Sequence, residues 1–279
     1  MSVVSVAELR AAWHAAADGQ FGPAAARAHP GTAPGAGVRA GQEAAVWSPP
    51  TLVLPVIGCH GSAGCTSVAV AVATALAGPV RVVETAPAVA TGLSGFATAE
   101  LGPTGTGWVR GRRDHLVLDR RQDGYGPPGP VPVPDAGQEG SSVPVVLDLG
   151  CGARSGWLAT AVAAAGYLVL VTTATVPGMR RLEGVLHELD PDRHALVLAV
   201  RGPVLRRWPR PVTHTAGPRT RALLQEALVQ VPHDPGLAVR GLDTEPLPGP
   251  LLGAAARIVT ATGLPAGPST HQEGNNHGR

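Results

Sequence analysis

Residues 56–67 read VIGCHGSAGCTS: the end of an apolar run, then glycines, then two hydroxyl residues leading into small apolar residues. This is the outline of a phosphate-binding loop between a strand and a helix, in which glycines let backbone amides face a phosphate and the helix adds its positive end. Its charged side chain is missing. Where such loops carry lysine, directly before the hydroxyl residue, this chain has Cys65. All 22 residues counted as Lys plus Arg are arginines, so no lysine elsewhere can substitute. A composition rich in Ala, Gly, Pro, Val and Arg fits GC-rich bacterial coding. A habit of exchanging Lys for Arg would have left arginine at 65, yet the position holds a thiol, which is neutral at pH 7 unless activated.

Working outward, TLVLPVIG (51–58) reads as a buried strand, SVAVAVATALA (67–77) as a small-residue helix and RVVETAP (81–87) as a second strand. A strand, loop, helix and strand in about 35 residues is the start of a parallel α/β sheet with crossover helices. Further strands of the sheet are expected at SVPVVLDLG (142–150), GYLVLVTTA (166–174), HALVLAV (194–200) and ALVQVP (227–232), giving about six, with one more strand, HLVLDR, inside the expected insertion and a last helix near 249–262. Ser5 and Glu8 have capping-box spacing at the head of a short helix, after which residues to 50 lack a period. The expected organisation is an N-terminal helix and flexible arm over 1–50, an α/β domain over 51–264 with 98–142 as a surface insertion, and a disordered tail over 265–279.

The 44% hydrophobic content is enough for a buried core, and a formal net charge of +2 names no partner. Three cysteines, Cys59, Cys65 and Cys151, make no paired metal motif and fit a reducing compartment. The apolar runs are shorter than the roughly 20 residues of a membrane-spanning helix, and the N-terminus lacks the charged-then-apolar layout of a signal peptide. The expected setting is cytoplasmic.

A second loop, VVLDLGCGARSG (145–156), admits two readings. VLDLGCG is a common opening of the cofactor strand in S-adenosylmethionine-dependent methyltransferases. That site also needs an acid at the end of the next strand for the ribose hydroxyls, and Thr172 and Thr173 stand there instead. The other reading makes Asp148 the acid of a nucleoside-triphosphatase site, holding Mg²⁺ together with Thr66 while loop amides hold phosphate. The bland alternative is a tight strand-to-helix connection in which Thr66 is an ordinary cap.

Taken together, the chain over residues 51–262 resembles the ParA/MinD family of partitioning ATPases, a branch of the phosphate-loop NTPases. His60 stands in the place of that family's first loop lysine and Cys65 in that of the second; Gly61, Gly64, Thr66 and Ser67 match, and Ser62 replaces a glycine. Glu84 matches an acid of the second strand, and VQVPHDPGLAVRG resembles the late proline loop that lies against the base. The resemblance implies a nucleotide site of Gly61, Ser62, Ala63, Gly64, Cys65, Thr66, Ser67, Glu84, Pro232, His233 and Asp234, with Thr66 and Asp148 toward Mg²⁺. The cofactor implied is ATP or GTP with Mg²⁺, bound weakly and not hydrolysed, because neither His60 nor Cys65 supplies a fixed positive charge. The partners implied are DNA without sequence preference or another protein, and a second copy of the chain; the tail has no apolar face for a membrane. Arg206, Arg207 and Arg210, close to Trp208, are the candidate nucleic-acid contacts, against the alternative of a solvated face. His233 and Asp234 read equally as a surface turn.

Overall fold

The computed structural model describes residues 52–104, 107–122, 131–135, 143–151, 156–189 and 193–267. The expected helix near residues 5–17 and the arm that follows it lie outside these residues. Among these residues nine strands form one sheet in the order β3-β4-β5-β2-β6-β1-β7-β8-β9. They are β1 (Val53–Gly58), β2 (Val80–Glu84), β3 (Ala99–Thr104), β4 (Trp108–Arg113), β5 (Leu116–Arg121), β6 (Val145–Asp148), β7 (Tyr167–Thr173), β8 (Ala195–Arg201) and β9 (Leu228–Val231). The run from β5 to β9 is parallel throughout, while β4 pairs antiparallel with both β3 and β5.

Helices cover both faces: α1 (Cys65–Ala75), α2 (Trp157–Ala164), α3 (Val176–Glu188), α4 (Arg210–Thr215), α5 (Pro218–Glu226), α6 (Pro235–Arg240) and α7 (Gly249–Ala261). Because side chains alternate along a strand, each central strand feeds two cores. Leu54 and Val56 of β1 pack with α1 and α7, while Ile57 packs with Leu158 of α2 and with Met179 and Leu182 of α3. Burial on both faces explains why these strands read as continuous apolar runs rather than alternating ones. The fold is an α/β, mostly parallel sheet with crossover helices.

Two expectations need correction. Residues 98–142 are not simply a surface insertion, since their described part builds β3, β4 and β5, and β5 is buried in the sheet beside β2. The sheet therefore has nine strands rather than about six. The physical reason is a buried ion-pair bridge: Asp119 of β5 takes Arg81 of β2 and Arg110 of β4, so charges that read as surface lie between strands. At the head of the expected tail, Ala266 bridges Leu76 and the Gly267 amide donates to the Ala75 carbonyl at 2.9 Å. The rest of that tail lies outside the described residues.

Candidate functional site

The parallel strands bring their carboxyl ends to one edge, where sites of open α/β sheets are built. β1 ends at Gly58, whose amide donates to the Gly150 carbonyl at 2.6 Å. A Cβ at Gly58 would meet that oxygen at 3.1 Å and the Cys65 Cβ at 3.2 Å, so glycine is what lets the loop after β6 lie this close. The loop then turns through Ser62 (φ 60°) and Gly64 (φ 95°), both left-handed. Gly64 precedes α1, which has no side-chain N-cap and no acid in its first turn. Among the described residues the first-turn amides thus meet no side-chain cap, which leaves the positive end of α1 able to receive an anion. Gly61 is exposed, Ala63 is buried, and Ser67 is half-buried.

Cys65 turns inward. Its Sγ donates to Asp148 Oδ1 at 3.0 Å and approaches the Val56 carbonyl at 3.3 Å. Burial, and then the Asp148 charge, push the thiol well above its ordinary pKa, so it stays neutral. Asp148 is itself buried; its Oδ1 also accepts from the Gly150 amide at 3.0 Å, and its Oδ2 has no hydrogen-bond partner among the described residues. Burial raises the Asp148 pKa, opposed by Cys65, the nearby Thr66 hydroxyl and the Gly150 amide. An orphaned buried carboxylate oxygen is costly, and here it sits beside the start of α1.

Glu84 pairs in register with Asp148, which places both acids on the α1 face of the sheet. It does not reach the loop directly. Its carboxylate accepts from the Thr91 hydroxyl and from the Gly92 amide, the latter at 2.8 Å, and a Cβ on Gly92 would lie 3.1 Å from Thr66 Cγ2. Glu84 therefore holds the turn that rests on Thr66. Burial and then the Asp148 charge raise its pKa to about 7.

His60, expected in a lysine's place, is tied into its own chain. A carbonyl only accepts, so Nδ1 donates to the Gly61 carbonyl at 2.7 Å and leaves Nε2 to accept from the Thr173 hydroxyl at 3.1 Å in the neutral ring. On the other flank Pro232, His233 and Asp234 line a cleft of about 60 Å³ together with Gly64, Ser67 and Arg201. Asp234 Oδ1 caps α6 by accepting from the Leu237 amide at 2.7 Å. The structure thus gathers Gly64, Ser67 and the 232–234 loop into one cleft, and places Cys65 and Glu84 around Asp148. Arg201 was not anticipated. The available signal was its position, the first polar residue after the apolar run that predicts β8.

Arg206 and Arg207 are exposed in the segment between β8 and α4, and Arg210 is exposed at the first position of α4. Trp208 is not part of that surface: it is 7% exposed, packs in the core against α3 and α4, and donates Nε1 to the Pro203 carbonyl at 2.9 Å.

No protein-family model and no curated protein matches the sequence. Solved structures do. The MinC:MinD cell division protein complex of Aquifex aeolicus aligns at 16% identity over 75% of this chain and 96% of that one, with a TM-score of 0.48. A ParA family ATPase of Chlorobium tepidum aligns at 11% identity over 75% and 90%, with a TM-score of 0.43. Apo McdA of Cyanothece aligns at 12% identity over 76% of this chain and 98% of that one, with a TM-score of 0.51. The chain has a ParA/MinD-like fold. In such a fold the loop after β1 and the acid ending β6 come together by topology, because β6 lies directly beside β1. VLDLGCG is thus the strand that brings Asp148 to the loop.

Proposed function

We propose that this ParA/MinD-like chain is a nucleotide-responsive scaffold that binds ATP or GTP with Mg²⁺ weakly and does not hydrolyse it. The observation that carries this is Cys65: a buried, neutral thiol facing Asp148 at 3.0 Å, in the position where the resemblance expects a lysine. Removing one donor aimed at developing negative charge costs roughly 3–4 kcal/mol of transition-state stabilisation, and His60, held by Gly61 and Thr173, supports no replacement. Binding keeps its parts: first-turn amides of α1, the Ser67 side of the cleft, and Asp148 Oδ2 with Thr66. That orphaned oxygen beside a hydroxyl fits Mg²⁺, with the remaining ligands coming from phosphate and water. The ion would offset phosphate charge. Exposed Arg206, Arg207 and Arg210 support DNA as what the scaffold engages, in partitioning or transfer, alongside a protein partner or a second copy of the chain.

The test is phosphate release and nucleotide binding by wild type, Cys65→Lys and Thr66→Ala. No turnover by wild type and tighter binding by Cys65→Lys are expected. Wild-type turnover at an ordinary ATPase rate, abolished by Thr66→Ala, refutes the proposal.

A further inference from the structure

A positive charge absent from the loop sequence is present in space. Arg201 ends β8, and its Nη2 donates to the Ser62 carbonyl at 2.7 Å across 139 positions of chain. The guanidinium lies over Gly64, where a Cβ would stand 3.4 Å from Nη1. Among the described residues that hydrogen bond is the only one the Arg201 side chain makes, and no carboxylate pairs with it. The same side chain forms a wall of the cleft that continues through Ser67, Pro232 and His233.

We propose that Arg201 is the phosphate-binding cation of this site: on binding it exchanges the Ser62 carbonyl for a phosphate oxygen of a nucleoside di- or triphosphate. The inference rests on the nucleotide reading above. Three observations support the exchange. The present partner is a single neutral carbonyl at an exposed position, whereas a phosphate accepts charge-assisted and often forked hydrogen bonds from arginine. The Arg201 side chain is a wall of the cleft, held there by that one hydrogen bond. The third lies on the other side of the loop. Asp148 Oδ2, buried and unpartnered, lacks a cation, while Arg201 lacks an anion. A magnesium nucleotide supplies both. Strands β6 and β8 stand three spacings apart in the sheet, about 14 Å between axes, so the two groups meet different parts of the ligand. Arg201 reaches the Gly64 and Ser67 flank and leaves the Cys65 position uncharged, which accounts for retention of nucleotide without hydrolysis.

The experiment titrates Mg-ADP and magnesium tripolyphosphate into wild type, Arg201→Ala and Arg201→Lys, with circular dichroism confirming that each variant is folded. The expected result is a loss of tenfold or more for both ligands in Arg201→Ala and a smaller loss in Arg201→Lys. Unchanged or tighter Mg-ADP binding by Arg201→Ala overturns the inference and leaves the nucleotide reading standing. Weaker Mg-ADP binding with tripolyphosphate binding unaffected or undetectable puts Arg201 against sugar or base and also overturns it. Failure of wild type to bind either ligand overturns both.

Discussion

Glu84 is wholly buried at the end of β2, and burial followed by the charge of Asp148 sets its pKa near 7 instead of the ordinary 4.5. An acid whose pKa is higher in the folded than in the unfolded chain holds its proton more tightly when folded. Its contribution to stability is complete below about pH 4.5 and is lost as the pH rises to about 7. Asp148 shifts in the same direction. A shift of this size corresponds to about 3 kcal/mol, so urea unfolding should show wild type losing stability between about pH 4.5 and pH 7 relative to Glu84→Gln. Parallel pH profiles for the two proteins would falsify this assignment. At this scale the sequence exposed identities but not directions. It placed a thiol where a lysine belongs and an acid at 148, yet nothing in VIGCHGSAGCTS tells that the thiol turns inward onto that acid. Arg201 was hidden for a different reason, since a contact over 139 positions leaves no local spacing to read.

α3 contains two glycines in opposite surroundings. A Cβ on Gly178 would overlap the Thr173 carbonyl oxygen and come within 3.0 Å of Thr175 Oγ1, whereas a Cβ on Gly184 would meet nothing within 4 Å among the described residues. Gly178 also donates its amide to the N-capping Thr175 at 3.1 Å. Gly178→Ala should therefore destabilise by about 1–3 kcal/mol through overpacking. Gly184→Ala should stabilise by roughly 0.5–1 kcal/mol through helix propensity. Chemical denaturation of both variants checks the contrast, and equal effects would show that α3 sits differently on β7. Among the strands, legibility followed burial on two faces. Apolar runs such as YLVLVTT announce themselves, while β3 and β4, AELGPT and WVRGRR, carry glycine, proline and charge and read as loop. Pro55 is the reverse case, a proline that argues against a central strand. Leu52 and Val56 accept from β6, so residue 55 faces β7, whose pairing begins only at Val56. The missing N–H costs no ladder bond.

Across the whole molecule, a net charge of +2 hides an uneven distribution. Several arginines are spent inside: Arg81 and Arg110 on Asp119, and Arg113 on the carbonyls of Asp243, Thr244 and Glu245. Arg206, Arg207 and Arg210 remain exposed. Binding to duplex DNA of arbitrary sequence should fall steeply with salt, and replacing all three by alanine should flatten the slope of log K against log salt by about 2–3. Binding that survives the triple replacement with its slope intact would assign DNA to another surface. No helix among the described residues is long and apolar enough to cross a membrane.

The return of the chain beyond α7 has a mechanical consequence for the helix that carries the loop. α1 is anchored at its start by Cys65 on Asp148 and at its far end by the Leu76–Ala266 bridge and the Ala77 amide on the Pro265 carbonyl, with most of its length packed in the core. A rod held at both ends resists axial displacement. A displacement of the loop would therefore pass more readily to its neighbours, the turn at Thr91 and Gly92 that Glu84 tethers and the cleft wall at Arg201, than along the helix itself.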